Sequence, residues 1–228
     1  MASNKLLHEE LYRGADKLAK LRDVQIVLCG AGALGSNLAD NLARQGFAKL
    51  RVIDHDRVEE HNVGTQIYGE SEVGVWKVEA LRNRLFRACG VEIEPVRKEL
   101  NAGNAKSLLK DAGIVIDTFD NSASRALVQQ HVREAKLPAC LHVGLFEDYC
   151  EIIWDEAYRV PKDVAGDVCE YPLARNLVLL AVAVASETLV EYVLEGARRQ
   201  WSATLRDMVI SPMEGRVDGP PLATGDPA

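Results

Sequence analysis

The sequence predicts an α/β protein: a Rossmann-like, mostly parallel sheet with helices on both faces and antiparallel strands toward the C-terminal part. Three observations predict it. Short apolar runs alternate with amphipathic stretches over the first two thirds of the chain. The run Gly30-Ala31-Gly32-Ala33-Leu34-Gly35 stands directly between one apolar run and one amphipathic stretch. The last third changes character and becomes one long apolar segment. With 228 residues, the chain has the length of one domain with a substantial core. The expected division is a domain over residues 1–210 and a flexible tail over 211–228, where four of the eight prolines fall.

Taken in order, Val24 to Cys29 reads as a first buried strand, because its apolar run is short and rich in β-branched residues. The helix after the glycines carries Leu34, Leu38 and Leu42 four residues apart, on one face, and Gly46 closes it. Leu50 to Asp54 is the next strand, and Val78 to Cys89 a second helix with Leu81 and Leu85 on its apolar side. Further strands are predicted at Val91 to Val96, Ile114 to Thr118 and Ala139 to Phe146, with a helix at Ser124 to Lys136 before the last. Val143 to Trp154 has the pattern of a hairpin. From Pro172 to Gly196 the residues are apolar almost all round until Glu187 and Glu191 appear, so this helix must be buried in the core or against a second subunit.

Charge and cysteine usage exclude several classes. There are 34 acidic against 27 basic residues, a formal charge of −7, and no Lys/Arg-rich run, so neither nucleic acid nor an anionic membrane has an electrostatic footprint to bind. Cys29, Cys89, Cys140, Cys150 and Cys169 include no C-x-x-C pair, which argues against a disulfide framework and against zinc. The N-terminal residues meet Glu9 and Glu10 before any apolar run, and the longest apolar run, Leu177 to Ala185, is too short to span a bilayer. The expectation is a reduced, soluble, cytoplasmic protein without membrane or nucleic-acid partners.

The glycine run matches G-x-G-x-x-G in the context that gives the motif meaning, after a strand and before a helix. There the helix-start N–H groups point at an anion and the missing side chains let a phosphate approach. Asp54 follows at the carboxyl end of the second strand, where a carboxylate can accept hydrogen bonds from ribose hydroxyls. The ligand is therefore an adenine nucleotide. After Asp54 a polar loop of about twenty residues, beginning His55-Asp56-Arg57-Val58, precedes Lys77. A cation at a helix start is disfavoured unless an anion lies there. Asp117 and Asp120 stand on the same carboxyl edge, and the combination suits a Mg²⁺-chelating polyphosphate better than a nicotinamide.

Four ordered motifs carry a more specific resemblance: Gly30-x-Gly32-x-x-Gly35; Asp54-His55-Asp56-x-Val58-x-x-x-Asn62-x-x-x-Gln66; Val73-Gly74-x-x-Lys77; and Asp117-Thr118-x-Asp120-Asn121-x-x-x-Arg125. Over roughly residues 8–200 the chain resembles the ThiF/MoeB/HesA superfamily of enzymes that adenylate ubiquitin-like proteins and sulfur carriers. The resemblance implies that ATP and Mg²⁺ react with the C-terminal glycine carboxylate of a small protein ending in Gly-Gly, giving an acyl-adenylate and pyrophosphate, in a homodimer. It also implies that Asp54 holds the ribose, that Asn62 and Lys77 hold the phosphates with Asp56 and Gln66 in the same nucleotide-binding loop, and that Asp120 holds Mg²⁺. Physically, a fixed ammonium and a metal ion stabilise the charge that builds around phosphorus.

The chain departs from the pattern at Thr65, where the family has an arginine on the triphosphate. Arg13, in a Tyr-Arg pair like the family's N-terminal arginine segment, is the expected substitute, supplied from the other subunit. Cys169 stands where some members carry a cysteine that takes the acyl group as a thioester or persulfide. A helix start would favour its thiolate, while Asp167 and Glu170 oppose it. The remaining cysteines read as small buried hydrophobes, His55 and His61 as residues of the nucleotide loop, and His142 as a strand residue. Two other readings compete with adenylation. One is an NAD(P)-dependent oxidoreductase, motivated by the glycines and Asp54; the other is a non-catalytic nucleotide-binding subunit, motivated by Thr65.

Overall fold

Successive residues of a strand face opposite sides, and that alternation sorts the core into two layers. The computed structural model describes residues 4–162, 172–213 and 217–218. Two helices come first, α1 (Leu7–Arg13) and α2 (Ala15–Asp23), separated by Gly14. Strands and helices then alternate as β1 (Gln25–Cys29), α3 (Ala33–Gln45), β2 (Lys49–Ile53), α4 (Lys77–Cys89), β3 (Glu94–Val96), α5 (Ala105–Leu108), β4 (Ile114–Asp117) and α6 (Ser122–Glu134). The hairpin β5 (Cys140–Phe146) and β6 (Tyr149–Trp154) precedes α7 (Arg175–Glu195). Four short strands follow: β7 (Ala197–Arg198), β8 (Trp201–Thr204), β9 (Val209–Pro212) and β10 (Val217–Asp218).

The main sheet has the order β3-β2-β1-β4-β5-β6-β8-β9. Its first five strands are parallel, and β6, β8 and β9 extend it antiparallel, while β7 and β10 pair separately. Ile26, Leu28, Val52 and Ile116 face the core shared with α2, α3, α4 and α7, whereas Val27, Cys29, Ile53 and Val115 face the one shared with α5 and α6. Strands covered on both faces read as continuous apolar runs, which is how they were visible in the sequence. Both edge strands carry a proline, Pro95 in β3 and Pro212 in β9, at the positions where a missing N–H is tolerated.

β1 lies between β2 and β4, so the chain leaves it to one side first and to the other later. The carboxyl ends of β1 and β4 therefore border the switch point of the sheet, the place where open α/β sheets leave a crevice for ligands.

The expected strands, the hairpin and the helices containing Leu34, Leu38, Leu42, Leu81 and Leu85 are present, with all five leucines buried and Gly46 left-handed at φ +110°. Three readings are corrected. The sequence reading assigns no element before Val24, yet α1 and α2 are helical; α1 buries no residue and so leaves a weak pattern, and α2 is anchored only by Leu18 and Leu21. The strand read from Val91 begins at Glu94. The boundary at residue 211 cuts through β9, and Val217–Asp218 pair with β7; the rest of the expected tail, 214–216 and 219–228, lies outside the described residues.

α7 also changes the bilayer argument. At 21 residues it is long and apolar enough to cross a membrane by length and composition. Its surroundings decide otherwise for the fold: eleven of its residues are buried, against α2, α3, β5 and β6.

Candidate active site

The glycine run forms a sharp turn from β1 into α3. Gly30 has φ +98°, a conformation that costs an L side chain strain, and its N–H donates to the Ile53 carbonyl at 2.9 Å. A Cβ on Gly35 would strike the Gly30 carbonyl oxygen and come within 2.8 Å of Thr118 Oγ1. Close packing of strand, turn and helix thus demands both glycines. Gly32 is different: a Cβ there would meet nothing within 4 Å, and as N-cap of α3 it provides no side-chain hydrogen bond. The first N–H groups of α3 therefore have no side-chain cap to satisfy them. This uncapped start opens at the switch point.

β4 ends against the same turn. Thr118 donates its N–H at 3.0 Å and its hydroxyl at 2.9 Å to the Cys29 carbonyl. From the other side, Asp54 clamps the turn, its Oδ2 accepting from Ala31 N–H and its Oδ1 from Asp56 N–H, both at 2.7 Å. Each oxygen keeps a second lone pair for a ligand. Burial pushes the Asp54 carboxyl above its usual range, against the opposing pull of Lys77 and the two backbone donors.

Lys77, the first residue of α4, is 8% exposed, with Nζ 3.1 Å from Asp56 Oδ2. A nearly buried ammonium needs an anion, and Asp56 is the one that holds it in place. The polar loop between β2 and α4 folds back on itself, with Arg57 and Arg97 stacked on the Trp76 ring at 3.9 and 4.5 Å. Asn62 is buried and spends its carbonyl oxygen on Glu59 N–H at 2.9 Å, which leaves its amide as the donor. Gln66 is buried, and its Oε1 has no hydrogen-bond partner among the described residues. Tyr68, whose hydroxyl donates to the Ala31 carbonyl at 2.9 Å, fixes this loop to the glycine turn.

Asp120 is exposed on the loop after β4 and accepts from the amide of Asn121 at 3.3 Å. Asn121, not Asp120, caps α6, its Oδ1 taking Ser124 N–H at 2.8 Å. Among the described residues no three His, Cys, Asp or Glu side chains group to hold a metal ion. One exposed carboxylate suits Mg²⁺, which is usually held by one or two carboxylates together with substrate phosphates.

Two sequence-derived readings change, those of Asp117 and Cys89. Asp117 ends β4 on the expected edge but is fully buried rather than open like Asp120: it lies 2.8 Å from His142 Nδ1 and 3.7 Å from Arg125, and it accepts Phe119 N–H. His142 is a strand residue, as expected, within β5; its Nε2 lies 3.2 Å from Asp155 Oδ1 and its ring stacks on Tyr158 at 3.7 Å. Arg13, expected to act from the other subunit, pairs within its own chain with Glu9 and, through two hydrogen bonds, with Glu187 of α7. Cys89 is only partly buried. Cys29 and Cys140 are pushed well up by burial and Cys150 up to about 11, so these three are inert thiols. Cys169 lies outside the described residues.

The structure brings Gly30, Gly32, Gly35, Asp54, Asp56 and Lys77 into one linked arrangement, with Asn62 and Gln66 on the adjoining loop. Sequence reasoning missed Thr118 as the group packed on the glycines, Tyr68 as the strut of the loop, and Arg175, whose Nη1 lies 3.4 Å from the Gln66 carbonyl. No periodicity marks such residues; only Thr118, inside a quoted motif, could have been flagged.

Comparison with known proteins gives a match to the family model described as ThiF family over residues 4–153. The chain is 34% identical over 117 residues to the adenylyltransferase and sulfurtransferase MOCS3 of Anopheles gambiae, covering 50% of this chain and 26% of that one. It is 32% identical over 123 residues to the sulfur carrier protein ThiS adenylyltransferase of Bacillus subtilis, covering 52% and 37%. The chain thus spans only about a quarter to two fifths of the length of these curated relatives. Among solved structures, E. coli MccB with ATP superposes with a TM-score of 0.75 at 17% identity, over 97% of this chain and 73% of that one.

Proposed function

The chain belongs to the ThiF family, and from that premise we propose that it uses Mg²⁺ and ATP to adenylate the C-terminal glycine carboxylate of a ubiquitin-like or sulfur-carrier protein ending in Gly-Gly, as a cytoplasmic homodimer. The observation that carries this reading is the uncapped start of α3 at the switch point, with the buried ammonium of Lys77 tethered beside it by Asp56. Backbone N–H groups and a fixed cation form a cradle for phosphate oxygens. The names of the curated relatives, adenylyltransferases of sulfur carriers among them, support the same class of reaction.

In the proposed step the carrier's carboxylate oxygen attacks the α-phosphorus, the bond from that phosphorus to the bridging oxygen breaks, and pyrophosphate leaves with the electron pair. Asp54 takes the ribose hydroxyls through its remaining lone pairs. The amide of Asn62 and the ammonium of Lys77 donate to phosphate oxygens, and Asp120 would hold Mg²⁺, which neutralises charge on the leaving pyrophosphate. Asp56 keeps Lys77 from swinging into solvent. The cation-lined edge favours a nucleoside triphosphate over a nicotinamide dinucleotide, which needs an apolar slot.

The test is ATP–pyrophosphate exchange dependent on a carrier with a free Gly-Gly terminus. Asp120→Ala should lower the exchange rate about 100-fold or more. Exchange that persists unchanged in that variant defeats the assignment of Asp120. Absence of any exchange by the wild-type chain favours the non-catalytic subunit instead.

A further inference from the structure

The segment from Thr65 to Ile67 is laid along the first turn of α3. Thr65 O accepts from Asn37 Nδ2 at 2.9 Å, Ile67 N–H donates to Ser36 Oγ at 3.3 Å, and Asn37 also bonds the Ala33 carbonyl at 2.7 Å. Against the middle of this segment α7 brings its first residue, Arg175, with Nη1 3.4 Å from the Gln66 carbonyl. Arg175 is exposed and has no carboxylate partner among the described residues, in contrast to Arg13, Lys77 and Arg125.

A cation on the first residue of a helix stands at the positive end of the helix dipole, where it is disfavoured. Here this happens at two helices. Lys77 opens α4 and is tied through Asp56 and Asp54 to the glycine turn that leads into α3, and Arg175 opens α7 against the segment that lies along α3. Lys77 has Asp56 as its anion, whereas Arg175 has no carboxylate partner among the described residues, and a cation at a positive helix end is relieved by an anion. Gln66 Oε1, on the same segment, is a buried acceptor without a hydrogen-bond partner among the described residues, and a hydroxyl or amino group of a nucleotide can donate to it.

We propose that Arg175 is a catalytic residue that contacts the terminal phosphates of the nucleotide, supplying from α7 of the same chain the positive charge that Thr65 does not provide. The inference rests on the nucleotide reading above and names a different cation from Arg13, which Glu9 and Glu187 engage. A guanidinium there donates to the leaving pyrophosphate oxygens without itself changing protonation.

The test compares binding of ATP and of AMP by calorimetry in the presence of Mg²⁺. Arg175→Ala should weaken ATP binding about 10- to 100-fold, as loss of a hydrogen bond to a charged group does, and leave AMP binding unchanged. Adding Thr65→Arg to that variant should restore ATP affinity, because the new guanidinium starts one residue from the carbonyl that Arg175 touches. Unchanged ATP affinity in Arg175→Ala overturns the assignment, and so does an equal loss for both nucleotides, the signature of a residue that only props the loop. A wild-type chain that binds ATP tighter than AMP yet supports no exchange would sink the adenylation reading and leave Arg175 in place.

Discussion

At the scale of single residues the glycine turn shows how little freedom the site has. Gly30 needs a positive φ and Gly35 needs the absence of a side chain, since any Cβ there strikes the Gly30 carbonyl. Gly35→Ala should destabilise the protein by about 1–3 kcal/mol, the cost of overpacking, measured by urea unfolding. A variant as stable as the wild type would mean that the turn yields. That these glycines form a tight turn between strand and helix was legible in the sequence, because the motif, its strand and its helix are all local. The partners of Asp54 were not. Its two backbone donors come from Ala31 and Asp56, the first of them on a different part of the chain, and no spacing rule reveals which lone pairs they use.

At the scale of elements, the carboxyl end of β4 divides two carboxylates that look alike in sequence. Asp117 closes the strand and turns inward to His142, while Asp120, three residues on, reaches solvent. The inward group belongs to a polar network that ties α6 to the β5–β6 hairpin. Asp155 accepts from Gln129 at 3.1 Å and Arg133 at 2.7 Å, with His142 at 3.2 Å. Burial alone would raise the Asp155 carboxyl, but these three partners hold it below its usual value. A depressed carboxyl stabilises the fold above its unfolded-state pKa of about 3.9, and that stabilisation is lost as the pH falls through the folded value. Asp155→Asn should therefore cost most stability near neutrality, with the deficit shrinking in acid; urea titrations at several pH values would show it. A deficit independent of pH would assign the loss to geometry rather than charge. Strand and helix were legible here from apolar patterning. The direction of each carboxylate was not, since it depends on His142 and Arg125 arriving from other elements.

At the scale of the whole molecule, α7 closes one face of the sheet and joins the N-terminal helices to the antiparallel extension. Leu189, fully buried in that layer, is a direct probe: Leu189→Ala should cost about 2–5 kcal/mol of unfolding free energy by removing packed methyl groups and leaving a cavity. A loss below 1 kcal/mol, read by chemical denaturation, would mean that α7 contributes little to the core. The sequence by itself determined the α/β class, the succession of strands and helices from Val24 to α7 apart from α5, the glycine turn and the family, because each of these is written in local periodicity or in motifs whose residues lie close along the chain. Tertiary structure alone decided that α7 lies against the sheet, that Asp117 is buried and Asp120 exposed, that Arg13 is engaged by Glu187 as well as Glu9, and that Arg175 stands beside the loop that carries Gln66. Those outcomes depend on pairs such as Arg13 and Glu187 or Gln66 and Arg175, more than a hundred residues apart, and such contacts arise only when the sheet order has set which ends of which elements meet.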